Sequence, residues 1–121
     1  MPKNISTMIA LCINLSYLPW AQAQACRPET VKYIEGQIEF FKQEIEEFKI
    51  SAQFYTKKAI ISQAQASDFR SAGKRFRADT ADQEAQRNRQ WAHIYEMDVE
   101  HDRGVIKSWK TQLGKCRSER F

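Results

Sequence analysis

The feature of this sequence that most constrains its fold is a long alternation of three- and four-residue gaps between apolar positions. In the first half the series begins at Val31 and ends at Phe69, and only one of its twelve members, Ser62, is polar. Residues at this spacing share one side of an α-helix, so the pattern predicts a long helix with a coiled-coil seam. Pro28 and Glu29 stand where a first helical turn favours them. The first-half seam consists of Val31, Ile34, Ile38, Phe41, Ile45, Phe48, Ala52, Tyr55, Ala59, Ser62, Ala66 and Phe69.

The second half of the chain repeats this spacing over eleven positions, of which Asn88 and Asp102 are polar. We interpret these two as positions that set the helix register, as single polar residues do in coiled coils. Thr80 and Gln83 fit a capping box, which predicts that the second helix begins near residue 79 or 80. The second-half seam consists of Ala78, Ala81, Ala85, Asn88, Ala92, Tyr95, Val99, Asp102, Ile106, Trp109 and Leu113.

Residues 1–25 have the layout of a cleaved signal peptide. Lys3 precedes an uncharged, apolar run of 16 residues, Ile5–Trp20, and Ala23 and Ala25 then supply an A-x-A cleavage site. The run is shorter than the ~20 residues that span a bilayer, which favours cleavage over a retained signal anchor. We therefore predict an exported protein, periplasmic or secreted, with no transmembrane segment after cleavage.

Two cysteines remain in the predicted mature chain, Cys26 and Cys116. A single pair in a secreted chain predicts a disulfide between them. The alternative is that Cys26 carries a lipid anchor, as in bacterial lipoproteins, although Ala23 stands where such signals usually have a larger aliphatic residue.

The two cysteines also bear on the fold, because their midpoint is residue 71, in the turn-like stretch Ser71–Gly73. Two antiparallel helices that reverse there would bring the cysteines together. We predict an all-α fold, a long antiparallel helical hairpin of coiled-coil type whose open end is closed by the disulfide. A three-helix bundle is the alternative. The predicted single domain is 26–121, with helices at about 28–67 and 80–115 and a basic turn at about 68–79.

Several large apolar side chains lie outside the seam. In the first helix they recur at a second heptad position, which Glu47 interrupts. A two-helix hairpin cannot cover them, and exposed apolar stripes usually mark an interface. We predict an interface with a protein partner or a second copy of the chain, while a third packed element is the alternative. The predicted interface residues are Tyr33, Phe40, Phe54, Ile61 and Trp91.

Residues 69–77 carry four basic side chains and no acidic one, in a chain whose formal net charge is +4. At the end of a hairpin they would form a basic surface able to bind anionic lipid head groups, an anionic envelope polymer or an acidic protein. The predicted export argues against nucleic acid as the partner. The basic residues are Arg70, Lys74, Arg75 and Arg77.

His93, Met97 and His101 recur every four residues, a spacing that would place imidazole and thioether groups on one helical face. Such groups suit copper, but no cysteine completes the set, and we predict neither a metal site nor a cofactor. The sequence holds no G-x-S-x-G, H-E-x-x-H, P-loop or C-x-x-C motif, so we predict no catalytic residues and no enzymatic activity.

Together these patterns predict an exported, non-enzymatic helical protein of the cell envelope that works by binding, as an adaptor or a structural subunit. The alternative is a small periplasmic chaperone, or a metal or ligand sensor, of helical-hairpin type.

Overall fold

The computed structural model describes residues 27–119, with side chains described up to Arg117. The predicted signal peptide and Cys26 lie outside the described residues, and so does the predicted bond between Cys26 and Cys116. No described helix is both long enough and apolar enough to cross a bilayer.

The described residues form two long helices, α1 (Pro28–Ser71) and α2 (Arg75–Glu119), which pack against each other as a hairpin. The all-α hairpin prediction is thereby confirmed. Residues 27–119 contain no third helix, so the three-helix alternative does not match the structure.

A tight C-cap ends α1. Gly73 adopts a left-handed φ of 73°, which glycine reaches without a Cβ clash. The amide of Lys74 donates to the Phe69 carbonyl (2.8 Å) and that of Gly73 to the Arg70 carbonyl (3.0 Å). This pair of bonds is the Schellman motif, which satisfies the last carbonyls of a helix and reverses the chain within three residues.

The connection is therefore shorter than the predicted basic turn at 68–79, and both helices run beyond their predicted bounds. Thr80 does not cap α2, because it lies inside the helix and its hydroxyl donates to the Phe76 carbonyl (3.1 Å). The helix already begins at Arg75, and the amide of Ala78 donates to the Lys74 carbonyl (3.0 Å). No glycine or proline in residues 75–79 opposes an earlier start.

Contacts divide the hairpin into two compact units. The terminal unit holds the described residues up to Glu39 and those from Ile106 onward. The turn unit is Phe40–Val105.

In the turn unit the seam is confirmed, because each predicted seam position there is buried or half-buried. Near the connection the buried side chains are small. Ala66 and Ala78 are both 0% exposed, and Ala59, Ala81 and Ala85 are buried as well. Small side chains let two helices approach closely, although each buries little apolar area.

In the terminal unit larger aliphatic side chains fill the seam. Ile34, Ile38, Ile106 and Leu113 are buried. Cys116 is buried too and continues the spacing three residues beyond Leu113, so the residue predicted to form the disulfide also occupies a seam position.

Candidate binding surface

The outward side of α1 in the turn unit exposes three of the predicted interface residues. Phe40, Phe54 and Ile61 are 55%, 54% and 57% exposed. Ile50, on the same side of α1, is 67% exposed, although it was not among the predicted residues. Side chains of this size are usually more fully buried in soluble proteins, so a cluster of exposed ones indicates a surface that other molecules cover.

Intramolecular ring contacts hold the two exposed phenylalanines. Phe40 meets Phe41 edge to face with centroids 5.2 Å apart, and Phe54 meets Tyr55 in the same way, also at 5.2 Å. Edge-to-face pairs are favourable arrangements for aromatic rings. Lys58 adds a cation–π contact, its Nζ lying 5.3 Å from the centroid of Phe54. Each exposed ring is thus oriented before any partner arrives.

The other two predicted interface residues have more intramolecular contact than the sequence indicated. In the terminal unit Tyr33 packs edge to face on Trp109, with centroids 6.0 Å apart. In the turn unit Trp91 stacks on Tyr55 (6.1 Å) and lies beside Tyr95 (6.5 Å). Both side chains keep about half of their surface exposed, but each also belongs to an aromatic cluster within its own unit.

An aromatic cluster in the turn unit is a feature that the sequence reasoning missed. Tyr55 and Tyr95 stack almost parallel across the two helices at 5.7 Å, and Phe48 also lies against Tyr95 (6.1 Å). The signal was present, since Phe48, Tyr55 and Tyr95 are all seam residues. Pairing them across the hairpin requires the stagger of the helices, and the reversal predicted at residue 71 lies two residues before Gly73, the centre of the observed connection.

The predicted basic surface around the connection is partly neutralised within the turn unit. Arg70 pairs with Asp82 and lies 3.8 Å from Asp79, and the Asp82 carboxylate raises the pKa of Arg70. Arg77 lies over the ring of Phe69, 6.0 Å from its centroid. Lys74 and Arg75 are exposed. Two of the four basic groups are therefore engaged within the chain.

The metal candidates remain at the surface of α2. His93, Met97 and His101 are all exposed, and Nδ1 of His101 lies 3.4 Å from Oδ1 of Asp102. Within residues 27–117, no group of three or more His, Cys, Asp or Glu side chains is arranged to hold a metal ion.

One buried carboxylate interrupts the seam of the turn unit. Asp102 is 3% exposed, and its Oδ2 has no hydrogen-bond partner among the described residues. Glu44 lies near it. Burial raises the pKa of Glu44 above its ordinary value of 4.5, and a side-chain hydrogen bond with Asp102 and the carboxylates of Asp102, Glu47 and Asp98 act in the same direction. A carboxyl whose pKa is raised by folding is harder to ionise in the folded chain than in the unfolded one.

A shallow groove of about 260 Å³ also opens along the turn unit. Its lining carries both signs of charge, Glu96 and Glu100 with Lys49 and Arg103, and Arg103 pairs with Glu100. Because its lining contains no aromatic side chain and no net charge, the groove is a weaker binding candidate than the exposed apolar side of α1.

Neither a protein-family model, a curated protein nor a solved structure matches the chain. Function must therefore be inferred from the residues of this chain.

Proposed function

We propose that the protein is an exported, non-enzymatic helical protein of the cell envelope that binds another protein chain, as an adaptor or a structural subunit. The observation that carries the proposal is the group of oriented, half-exposed apolar side chains on the outward side of α1 in the turn unit. A partner that buries this surface removes apolar area from water, which favours binding.

The test is a photocrosslink in the living cell. A photoreactive phenylalanine analogue at Phe54 is expected to give a discrete crosslinked protein product from the envelope fraction. The matched control is the same analogue at Phe76, which is 84% exposed but lies at the start of α2, away from this surface. No product from position 54, or the same product in equal yield from position 76, would contradict the proposal.

Export and the closing disulfide belong to the same proposal. Pro28 begins α1 and Cys116 lies near the end of α2, and both residues belong to the terminal unit. This placement supports a bond from Cys26 to Cys116. We expect the intact mass of the purified mature protein to lack residues 1–25 and to rise by about 2 Da on reduction. Two alkylatable thiols without prior reduction would eliminate the disulfide. A lipid adduct on Cys26 would instead place the protein on a membrane.

A further inference from the structure

A second, regular row of positions follows the outward side of α1. It begins at Phe40 and proceeds by gaps of 3, 4, 3, 4, 3, 4 and 3 residues. All eight side chains are exposed. This outer row consists of Phe40, Gln43, Glu47, Ile50, Phe54, Lys57, Ile61 and Ala64.

The outer row has the spacing of a coiled-coil interface. At ~100° per residue its centre lies about 150° around the helix from the centre of the seam. The seam is occupied by α2, whereas none of the described residues covers the outer row. Helix geometry supplies such positions on every side; what distinguishes this one is that Phe40, Ile50, Phe54 and Ile61, all large and apolar, are more than half exposed on it.

The order of the gaps is the same when it is read backwards. A second α1 that runs antiparallel to the first therefore presents identical spacing, and a two-fold axis near residue 52 matches all eight positions in pairs. Isologous pairing of this kind is the commonest way in which identical chains associate.

The two central kinds of pair are complementary. At the centre Ile50 meets Phe54, and on either side Glu47 meets Lys57, each pair occurring twice because of the symmetry. Within the described chain neither Glu47 nor Lys57 is engaged in an ion pair. A parallel arrangement in register would instead place Glu47 against Glu47 and Lys57 against Lys57, which is repulsive. The remaining pairs are Gln43 with Ile61 and Phe40 with Ala64.

We propose that two copies of this chain associate through the outer rows of their α1 helices, antiparallel and centred near residue 52, with the Glu47–Lys57 pairs fixing the register. This inference rests on the proposed function, since both use the outward side of α1, and it names the partner as a second copy. Glu47, which interrupts the apolar series in one chain, thereby acquires a role in the pair.

Sedimentation velocity on single charge reversals tests the register. The wild-type protein is expected to be a dimer. Glu47→Lys or Lys57→Glu alone places like charges in both symmetric pairs and is expected to weaken self-association by about tenfold or more. Because both side chains are exposed and lack ion pairs, the variants are expected to keep the helical circular dichroism of the wild type. Glu84→Lys, an equal change of charge at an exposed position on α2, is the matched control and is expected to leave the dimer intact.

Mixing supplies the decisive measurement. A Glu47→Lys chain carries lysine at both positions, whereas a Lys57→Glu chain carries glutamate at both. The two variants, each weak in self-association, are therefore expected to form a heterodimer with near wild-type affinity. The double variant with Glu47→Lys and Lys57→Glu is likewise expected to recover the homodimer.

The remaining outcomes each overturn the inference. A wild-type protein that is monomeric at every accessible concentration refutes self-association. A dimer indifferent to the single reversals, or variants that do not combine on mixing, refutes the register. If the chain is monomeric while position 54 still crosslinks to a different protein, self-pairing fails and the proposed binding function stands. Without any crosslink, both fail.

Discussion

Replacement of Asp102 by leucine is expected to raise the free energy of unfolding by about 1–4 kcal/mol. The carboxylate lies at a seam position, its side chain is 4% exposed, and its Oδ2 has no hydrogen-bond partner among the described residues. A buried charge without sufficient partners destabilises the folded state, and a leucine at the same position would add apolar burial.

Asp102→Asn is the matched control for this change, because it removes the charge and keeps the shape. It is expected to give a smaller gain, on the order of 1 kcal/mol, since the amide is still buried. Urea unfolding followed by circular dichroism at one protein concentration measures all three proteins. A leucine variant less stable than the wild type would show that Asp102 makes a stabilising interaction in solution.

The same variant changes the pH dependence. The folded state raises the pKa of Glu44 above 4.5, so the folded protein binds this proton more tightly than the unfolded chain does. The contribution of Glu44 to stability therefore falls as the pH rises from about 4.5 through the raised pKa, and it is constant above that. Comparison of wild type with Glu44→Gln isolates this fall. It is expected to be smaller in the Asp102→Leu background, where burial, Glu47 and Asp98 still act on Glu44 but Asp102 does not.

A larger side chain among the buried alanines of the seam is expected to change the free energy of unfolding in the opposite direction. Ala66→Leu is expected to lower the free energy of unfolding by about 1–3 kcal/mol. Ala66 is fully buried, and the first seam positions of α2, Ala78 and Ala81, are buried as well. Three added heavy atoms would find no space where the helices approach this closely, so the helices must separate or the side chain must adopt a strained rotamer.

Ala64→Leu, two residues away on the same helix, controls for helix propensity. Ala64 is exposed, so the same substitution there meets no neighbour across the seam and is not expected to lower the stability of the single chain. Because Ala64 also belongs to the outer row, both variants are compared at a protein concentration at which each is monomeric. The difference between the two leucine variants in urea unfolding gives the packing effect. Equal stabilities would mean that the seam near the connection is loosely packed.

The hairpin itself could be predicted from the sequence because burial follows the alternation of three and four almost without exception. Even Ser62, Asn88 and Asp102, the polar members, are buried where the spacing puts them. The helix ends could not be predicted in the same way, since the capping-box residues at Thr80 competed with the glycine C-cap. Gly73 was the better signal, because the left-handed residue that ends a helix in a Schellman motif is usually glycine, and no glycine or proline in residues 75–79 delays the next helix.

Only part of the candidate surface could be predicted from the sequence. The apolar series Phe40, Phe54 and Ile61 is visible in the sequence, and Glu47 looked like a defect in it. Ile50 and Lys57, which complete the outer row, were not predicted, because the pattern of a single chain does not show which residues a second copy would contact. The structure adds the exposure of each side chain, and Ile50 is among the more exposed aliphatic side chains of the described residues.

The three-residue connection has a consequence for how this protein can change over evolutionary time. Because the connection Ala72–Lys74 is so short, it fixes which seam residue of α2 lies opposite each seam residue of α1. One inserted residue would rotate the following part of a helix by about 100° and turn its seam away from the partner. Seven residues added to each helix at matched heights would preserve the seam on both. The lengths of the two helices are therefore expected to change together, in paired heptads, while isolated insertions are eliminated.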